Sequence, residues 1–407
     1  MRFADLLRRH PRYLGFGFAH YFFSFVGQTF FVSLFVAAMS GRLGWAEGTF
    51  ATVYSGVTLV AAFVLPLIGQ QLDHARVRYV STAAALWLVA GLGLLATAGA
   101  LPLVVLGLFM VRLGGQGVLP LIGSTTTGRY FTAGRGRALS AVILGISLAE
   151  VLLPPAAVFL LLRFGDQPVW AAAAGLVLLV FLPAVWLLVR RYDDFQRAGD
   201  VARAQEQERG EGEAPTAASW TRRQVLADRR FRLIVPVVVY IPFVFTGLVF
   251  NQSVLAELRG YSPQWMAWGL SAYGLSRVVS LLGAGGLVDR YGAEWALRRF
   301  LAPAALGLAL LWLLPGRGSV PLFFGLSGLS AGMASVLLPA LWAERYGPRF
   351  LGSIKSTVWL LIVLASAAAP VVWSYGLRLG LDVWLGLMVA YAAACLLLAR
   401  TGRAAVP

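Results

Sequence analysis

An all-α integral membrane fold is expected for this chain, with twelve transmembrane helices arranged as two pseudo-symmetric six-helix bundles. Three observations predict it. Of the 407 residues, 59% are hydrophobic and only 13% are charged, whereas a soluble domain keeps about a quarter of its residues charged. The apolar residues fall in twelve continuous runs, each close to the ~20 residues that cross a ~30 Å hydrocarbon core as a helix. Marks in the first half of the chain also recur at corresponding places in the second.

The runs are 12–38, 48–69, 79–99, 101–123, 137–162, 168–190, 232–256, 265–288, 297–313, 319–341, 352–376 and 380–399. Gly99, Ala100 and a turn at Pro102 are all that separate the third from the fourth. Barrel strands are excluded because the runs are continuous rather than alternating, and are longer than such strands. The start, MRFADLLRRHPRY, lacks the positive–apolar–small order of a secretory signal, so no cleavable signal is expected. Cys395 is the sole cysteine and lies in the last run, where it is expected to pack and can form no intrachain disulfide.

The formal net charge of +16 would suit a nucleic-acid binder, but the positions of the charges give another meaning. With the N-terminus inside, the inner segments carry 27 Lys and Arg. The outer loops carry 5, namely Arg42, Arg163, Arg259, Arg317 and Arg378. Without the long central loop the ratio is still 17 to 5. Such an excess is the positive-inside signal. It predicts a multi-pass protein of the cell inner (plasma) membrane with both termini cytoplasmic, and leaves no need for nucleic acid as a partner.

Three regions follow: an N-terminal six-helix bundle over 1–190, a cytoplasmic linker over 191–231 and a C-terminal six-helix bundle over 232–407. The linker's middle, AQEQERGEGEAPTAAS, is poor in apolar residues and reads as flexible. Trp220, Leu226 and Phe231 then stand among arginines. That segment is either a short helix lying along the inner membrane face or a solvated connector.

The two halves echo each other. Gly69-Gln-Gln-Leu-Asp73, with Arg76 and Arg78, follows the second run. Gly285-Gly-Leu-Val-Asp289-Arg290-Tyr291-Gly292, with Arg298 and Arg299, follows the eighth. Arg129-Tyr130 with Arg135, after the fourth run, matches Arg345-Tyr346 with Arg349, after the tenth. Two such pairs in register indicate an internal duplication, a common plan in secondary transporters.

These residues resemble the major facilitator superfamily over nearly the whole chain. Its signature between the second and third helices runs approximately G-x-L-a-D-R-x-G-R-R. The second copy keeps Gly285, Asp289, Arg290 and Gly292; the first keeps Gly69, Leu72 and Asp73 but has His74 and Arg76 where arginine and glycine are usual. The resemblance implies that Asp73 and Asp289, with Arg76, Arg290, Arg129 and Arg345, hold a cytoplasmic gate. Arg112 followed by Gly114-Gly115-Gln116-Gly117 looks like the superfamily's fourth-helix motif. Residues 129–145 are loosely similar to the monocarboxylate and oxalate transporter branch, while the first run, SFVGQTFF, lacks the acidic-glycine-aromatic start of eukaryotic monocarboxylate carriers.

A charge at mid-bilayer costs upward of ~2.5 kcal/mol, so ionisable residues there are functional candidates. Arg112, Glu150 and Arg277 are the three that fall deep within runs. At 1.5 Å per residue, Arg277 lies roughly 18 Å from Asp289, near the membrane centre. Arginine's fixed fork of donors suits a carboxylate, and two cations against one acid leave room for an anionic substrate. Arg277 is therefore expected to contact substrate, with an internal ion pair or a gating role as the alternative. Arg112 could do the same, or pair with Glu150 or with backbone carbonyls. Burial and a nearby arginine act in opposite senses on a carboxylate, so Glu150 could load and release a proton. Alternatively, it forms a permanent pair with Arg112. His20 could titrate near neutrality or simply be hydrogen-bonded. Ser24, Gln28, Asn251, Gln252, Tyr273 and Ser276 could orient a ligand. The breakers Pro154-Pro155, Pro236, Pro242 and Pro370 assign no hinge.

No phosphate-binding loop, metal cluster or nucleophile set is legible, so neither enzyme activity, a cofactor nor a metal is expected. The expected function is secondary active transport of a small organic anion, a mono- or dicarboxylate, coupled to protons and working by alternating access in a monomer whose other partner is membrane lipid. The rivals are an exporter of drugs or amphiphiles and a non-transporting sensor or scaffold.

Overall fold

Inside a bilayer, backbone N–H and C=O groups find no water, so a spanning segment must satisfy them within itself. The computed structural model describes residues 8–71, 76–131, 135–189, 220–314, 316–346 and 351–401. It meets that condition with helices, and no strand occurs among the described residues. Twelve helical spans, numbered here in chain order, are Pro11–Leu43, Gly48–Ile68, Val77–Thr97, Leu101–Gly128, Arg137–Phe164, Asp166–Leu188, Arg229–Phe250, Pro263–Val288, Ala293–Leu313, Ser319–Tyr346, Thr357–Leu379 and Leu381–Arg400. Each contains one of the expected runs or overlaps most of it, and the chain is an all-α multi-pass membrane protein. Spans 3 and 4 separate where Pro102 takes the second position of a new helix, a place where its missing N–H costs nothing.

Several spans are interrupted. Span 1 runs as an α-helix over Pro11–Phe23, tightens to a 3-10 turn over Ser24–Gly27 and becomes extended at Gln28 (ψ 148°) before resuming at Thr29. Span 4 widens into a π-helix over Arg112–Val118. Span 7 stops at Phe250, and after Asn251 a short helix, Gln252–Arg259, continues the chain. The segment before span 7 forms a helix over Arg222–Ala227 with a Thr221/Gln224 capping box. It is held to span 10 by the Trp220 N–H on the Tyr346 carbonyl at 2.9 Å. Residues 190–219 of the expected linker lie outside the described residues.

The described residues cluster into two compact units. One comprises those within Met1–Trp45, Gly56–Ala149 and Phe159–Pro215; the other comprises those within Ala46–Ser55, Glu150–Val158 and Thr216–Pro407. In the first unit span 3 packs on spans 4 and 6, and Trp170 stacks on Phe35 with ring centroids 4.0 Å apart. In the second, span 9 packs on spans 10 and 12 in the same pattern. Large apolar side chains such as Phe63, Leu179 and Trp359 are exposed, as suits surfaces bathed by lipid rather than water.

The duplication extends to details that the spacing did not reveal. Span 1 and the helix after span 7 both end on a left-handed glycine, Gly44 and Gly260, each at φ 66°. An aromatic residue follows each glycine and donates its N–H back to the last turn: Trp45 to Ser40 O at 2.9 Å and Tyr261 to Ala256 O at 2.8 Å. Just before those glycines, Arg42 pairs with Asp166 at the start of span 6 (2.9 Å), and Arg259 pairs with Asp382 at the start of span 12 (3.0 Å). Two of the five arginines expected in outer loops are thus staples. Asp166 is buried, with Arg42 also donating to the Ala98 and Leu95 carbonyls, whereas the Asp382 side chain is 77% exposed. A buried partner left alone is costly and an exposed pair contributes at most about 1 kcal/mol. Asp166→Ala should therefore lower the melting temperature of the purified protein more than Asp382→Ala does; equal shifts would contradict this ranking.

Candidate functional site

Glu150 and Arg277 meet inside the second unit. Arg277 Nη1 donates to Glu150 Oε1 at 2.6 Å, with side-chain exposures of 19% and 8%. Arg277 lies roughly 21 Å along span 8 from Pro263 and about 16 Å from Val288. Glu150 is about 20 Å from either end of span 5. Both charges thus sit near the middle of their spans, where the pair offsets part of its own desolvation.

The local sequence explains how the two helices come so close. Gly274, one turn before Arg277, has no side chain; a Cβ there would lie 2.9 Å from both Glu150 Cβ and Val151 N. Pro155 lacks an N–H, so Val151 loses its helical donor. The Ser271 hydroxyl takes that place, donating to Val151 O at 2.7 Å. The Gln264 amide likewise reaches Pro155 O at 3.3 Å. Tyr273 is buried beside the pair and stacks on Phe245, centroids 4.1 Å apart. Span 10 backs the site through Gly332, where a Cβ would fall 2.7 Å from Arg277 O. Pro155 thus frees one acceptor, Val151 O, through which Ser271 ties span 5 to span 8.

Arg112 is bonded within the first unit. Its Nη1 donates to Gly27 O at 2.6 Å and approaches Thr29 Oγ1 at 3.5 Å, while Nε donates to Thr58 Oγ1 at 3.0 Å. The expected alternative of an Arg112–Glu150 pair is thereby corrected: Glu150 takes Arg277 and Arg112 takes backbone. The physical reason is the extended backbone at Gln28, which turns the Gly27 carbonyl out of its helix and leaves it needing a donor. Gly27 and Gly115 allow the approach, since a Cβ on Gly115 would lie 2.5 Å from Gly27 N. Arg112→Ala would strand that carbonyl at a cost of about 1–3 kcal/mol. A clear fall in melting temperature is expected, and an unchanged one would remove the bridge from the account of span 1.

His20 is buried, with Nδ1 on Phe16 O at 2.8 Å and Nε2 on Ser81 Oγ at 2.9 Å. A carbonyl only accepts, so Nδ1 carries the proton. Ser24 donates to Tyr21 O at 2.7 Å and Ser276 to Tyr273 O at 3.1 Å, each within its own helix. Gln28 is half-buried and touches Ser24 at 3.4 Å. Asn251 closes the break after span 7 through Gly247 O, Pro370 O and Ser374 Oγ, with Gln252 buried beside it. Tyr273 adjoins the Glu150–Arg277 pair, and Ser24, Gln28 and Asn251 lie at the interruptions of spans 1 and 7.

A sequence model described as the Major Facilitator Superfamily matches residues 17–370. The chain belongs to this superfamily. It is a multi-pass membrane transporter rather than an enzyme. A crystal structure of a mutant of the peptide transporter POT is similar at 16% identity with a TM-score of 0.64, covering 96% of this chain and 92% of that one. At that identity the likeness shows the fold. A comparison with curated proteins finds no match.

Within the superfamily signature, Gly292 has φ 81° and turns the chain from span 8 into the helix Ala293–Leu297, a conformation that favours glycine. Arg345 pairs with Glu294 on that helix, and Glu344 accepts from the Ala293 N–H at 3.3 Å. Glu294 was missed in the sequence; its signal was an acid two residues after the signature's last glycine. Arg290 lies over the Tyr291 ring at 5.2 Å and Arg76 is exposed. Asp73 and the side chains of Asp289 and Arg129 lie outside the described residues. The Arg-Tyr echo acquires a physical meaning here. Tyr130 stacks on Tyr13 (3.8 Å) and hydrogen-bonds His10 (3.2 Å), while the Tyr346 hydroxyl donates to Asp228 (2.8 Å). Each tyrosine latches the start of its half's first span. Burial and the neighbouring Tyr13 push Tyr130 up to about 12, so the latch keeps its proton at physiological pH.

Proposed function

We propose that this superfamily transporter carries a small organic anion together with one proton, by alternating access, with Glu150 and Arg277 as the coupled pair. The observation that carries the reading is their 2.6 Å contact near the middle of their spans. A guanidinium presents one planar fork for a carboxylate. While Glu150 is ionised it holds Nη1 of Arg277 itself, and a substrate carboxylate has to compete with it. Protonation of Glu150 removes the competitor and leaves Arg277 without its Glu150 counter-charge. Proton and anion are then favoured on the protein together and disfavoured singly, which is the linkage that symport requires.

The signature residues Asp73, Arg76, Asp289, Arg290, Arg129 and Arg345 would hold the gate on the cytoplasmic side. His20, Ser24, Gln28, Asn251, Gln252 and Ser276 enter the cycle only if their present bonds are exchanged as the helices move. The charge balance gives a direct test. A monocarboxylate entering with one proton moves no net charge, so uptake into proteoliposomes should follow an imposed pH gradient and ignore an imposed membrane potential. Uptake driven by potential alone would refute it.

A further inference from the structure

Spans 2, 3 and 4 leave a lateral groove of about 300 Å3 in the first unit. Val64 and Ile68 form one wall, Val80, Ala83 and Trp87 another, and Phe109 with the π-helical Leu113 and Gly114 the floor. No charged side chain lines it. An apolar cavity of ~150 Å3 accommodates benzene and stays dry, so this one has room for a substantial length of hydrocarbon chain.

Its position restricts the occupant. Val80 to Trp87 spans about 10 Å of helix, so the groove runs from near the start of span 3 towards mid-membrane depth. Val80, Ala83 and Trp87 fall at helical spacing on one face of that span, and Arg76, its N-cap residue, stands at the end of the span where the apolar channel begins. Arg76 is exposed, while Arg78 turns towards span 6, its guanidinium over the Tyr79 ring at 4.7 Å and the Trp186 ring at 5.7 Å. Exposed Phe63 and Leu67 on span 2 open the same side to lipid.

We infer that this groove holds one acyl chain of an anionic glycerophospholipid from the surrounding leaflet, with the phosphate at Arg76. An acyl chain matches the lining, the depth and the lateral opening, and a negative headgroup matches the basic mouth. The occupant lies against Leu113 and Gly114, part of the π-helical segment that begins at Arg112, the residue that holds Gly27 at the break in span 1. Lipid occupancy therefore props the span 4 segment that keeps span 1 interrupted. This inference is independent of the identity of the transported solute.

The test uses the full-length protein in detergent, titrated with phosphatidylglycerol or phosphatidylcholine and read by native mass spectrometry and thermal unfolding. The expected result is retention of phosphatidylglycerol over phosphatidylcholine and a rise in melting temperature with the former. Ala83→Trp, at an exposed position on the groove wall, should weaken phosphatidylglycerol binding by about tenfold or more through lost acyl burial. Arg76→Gln should leave binding but erase the preference between the two headgroups. Ala83→Leu provides a milder filling should the tryptophan variant not fold. Undiminished phosphatidylglycerol binding by a folded Ala83 variant would overturn the groove as the site. Equal retention of both lipids by the wild type would overturn the anionic assignment.

Discussion

Glu150→Gln is expected to abolish pH-driven accumulation of the anion while leaving exchange of anion across the membrane intact. Glutamine keeps the size of the side chain and an oxygen that can still accept from Arg277 Nη1, now 2.6 Å from Glu150 Oε1. What it loses is the negative charge and the proton that comes and goes. The variant is thereby fixed in the state that ordinary Glu150 reaches on protonation, with the guanidinium open to a substrate carboxylate. In the wild type, binding should tighten by roughly tenfold for each unit the pH falls through the range where Glu150 titrates. In the variant the dependence should be flat and the affinity should equal the wild type's acid limit. Counterflow, which needs only the loaded carrier to reorient, should persist. Accumulation against a gradient needs a proton to bind and leave, and should be lost. A glutamine variant that still concentrates substrate under a pH gradient would exclude Glu150 as the proton carrier.

Arg277→Ala is expected to eliminate binding as well as transport, by more than about a hundredfold in affinity, because a charge-assisted hydrogen bond to the anion is worth about 1.5–3 kcal/mol before any bidentate contact is added. The variant is complicated by its partner, since removing one member of a buried pair leaves an uncompensated charge costing about 3–5 kcal/mol. A loss of activity could then reflect loss of fold. The double variant Arg277→Ala with Glu150→Gln separates the two. It carries no charge at the site, so the melting temperature should recover towards that of the wild type while anion binding stays absent. Recovery of both would show that Arg277 serves only to neutralise Glu150. Recovery of stability alone is expected of a residue that binds substrate.

Much of the fold was legible because the bilayer imposes a coarse and strict rule on composition. Runs of apolar residues became the twelve spans, and Pro102 and the signature's Gly292 marked real turns. The interruptions were not legible. Ser24 to Gln28 and Asn251 carry the same kinds of residues that continue helices elsewhere, and the arginine on span 4 that satisfies the Gly27 carbonyl at the break in span 1 is 85 residues away. The three central charges were conspicuous from their cost in lipid, yet their pairing was not. Glu150 and Arg277 are 127 residues apart, and nothing in the spacing of either helix says which arginine faces the acid. One clue was available. Pro155 necessarily strips Val151 of its helical donor, so a hydroxyl from another helix was required there, and Ser271 stands six residues before Arg277. Arg42 and Arg259 were read only as charges on the outer side, because a staple to an aspartate over a hundred residues away leaves no local pattern.

The competition between Glu150 and substrate for one guanidinium is tested most directly by counting protons at binding, without any flux. Purified protein in weakly buffered detergent solution, mixed with an organic anion that it binds, should take up about one proton per anion bound at a pH where Glu150 is ionised. The Glu150→Gln protein should bind the same anion and take up none. Wild-type protein that binds the anion with no change in bound protons would show that Glu150 and the substrate do not share Arg277.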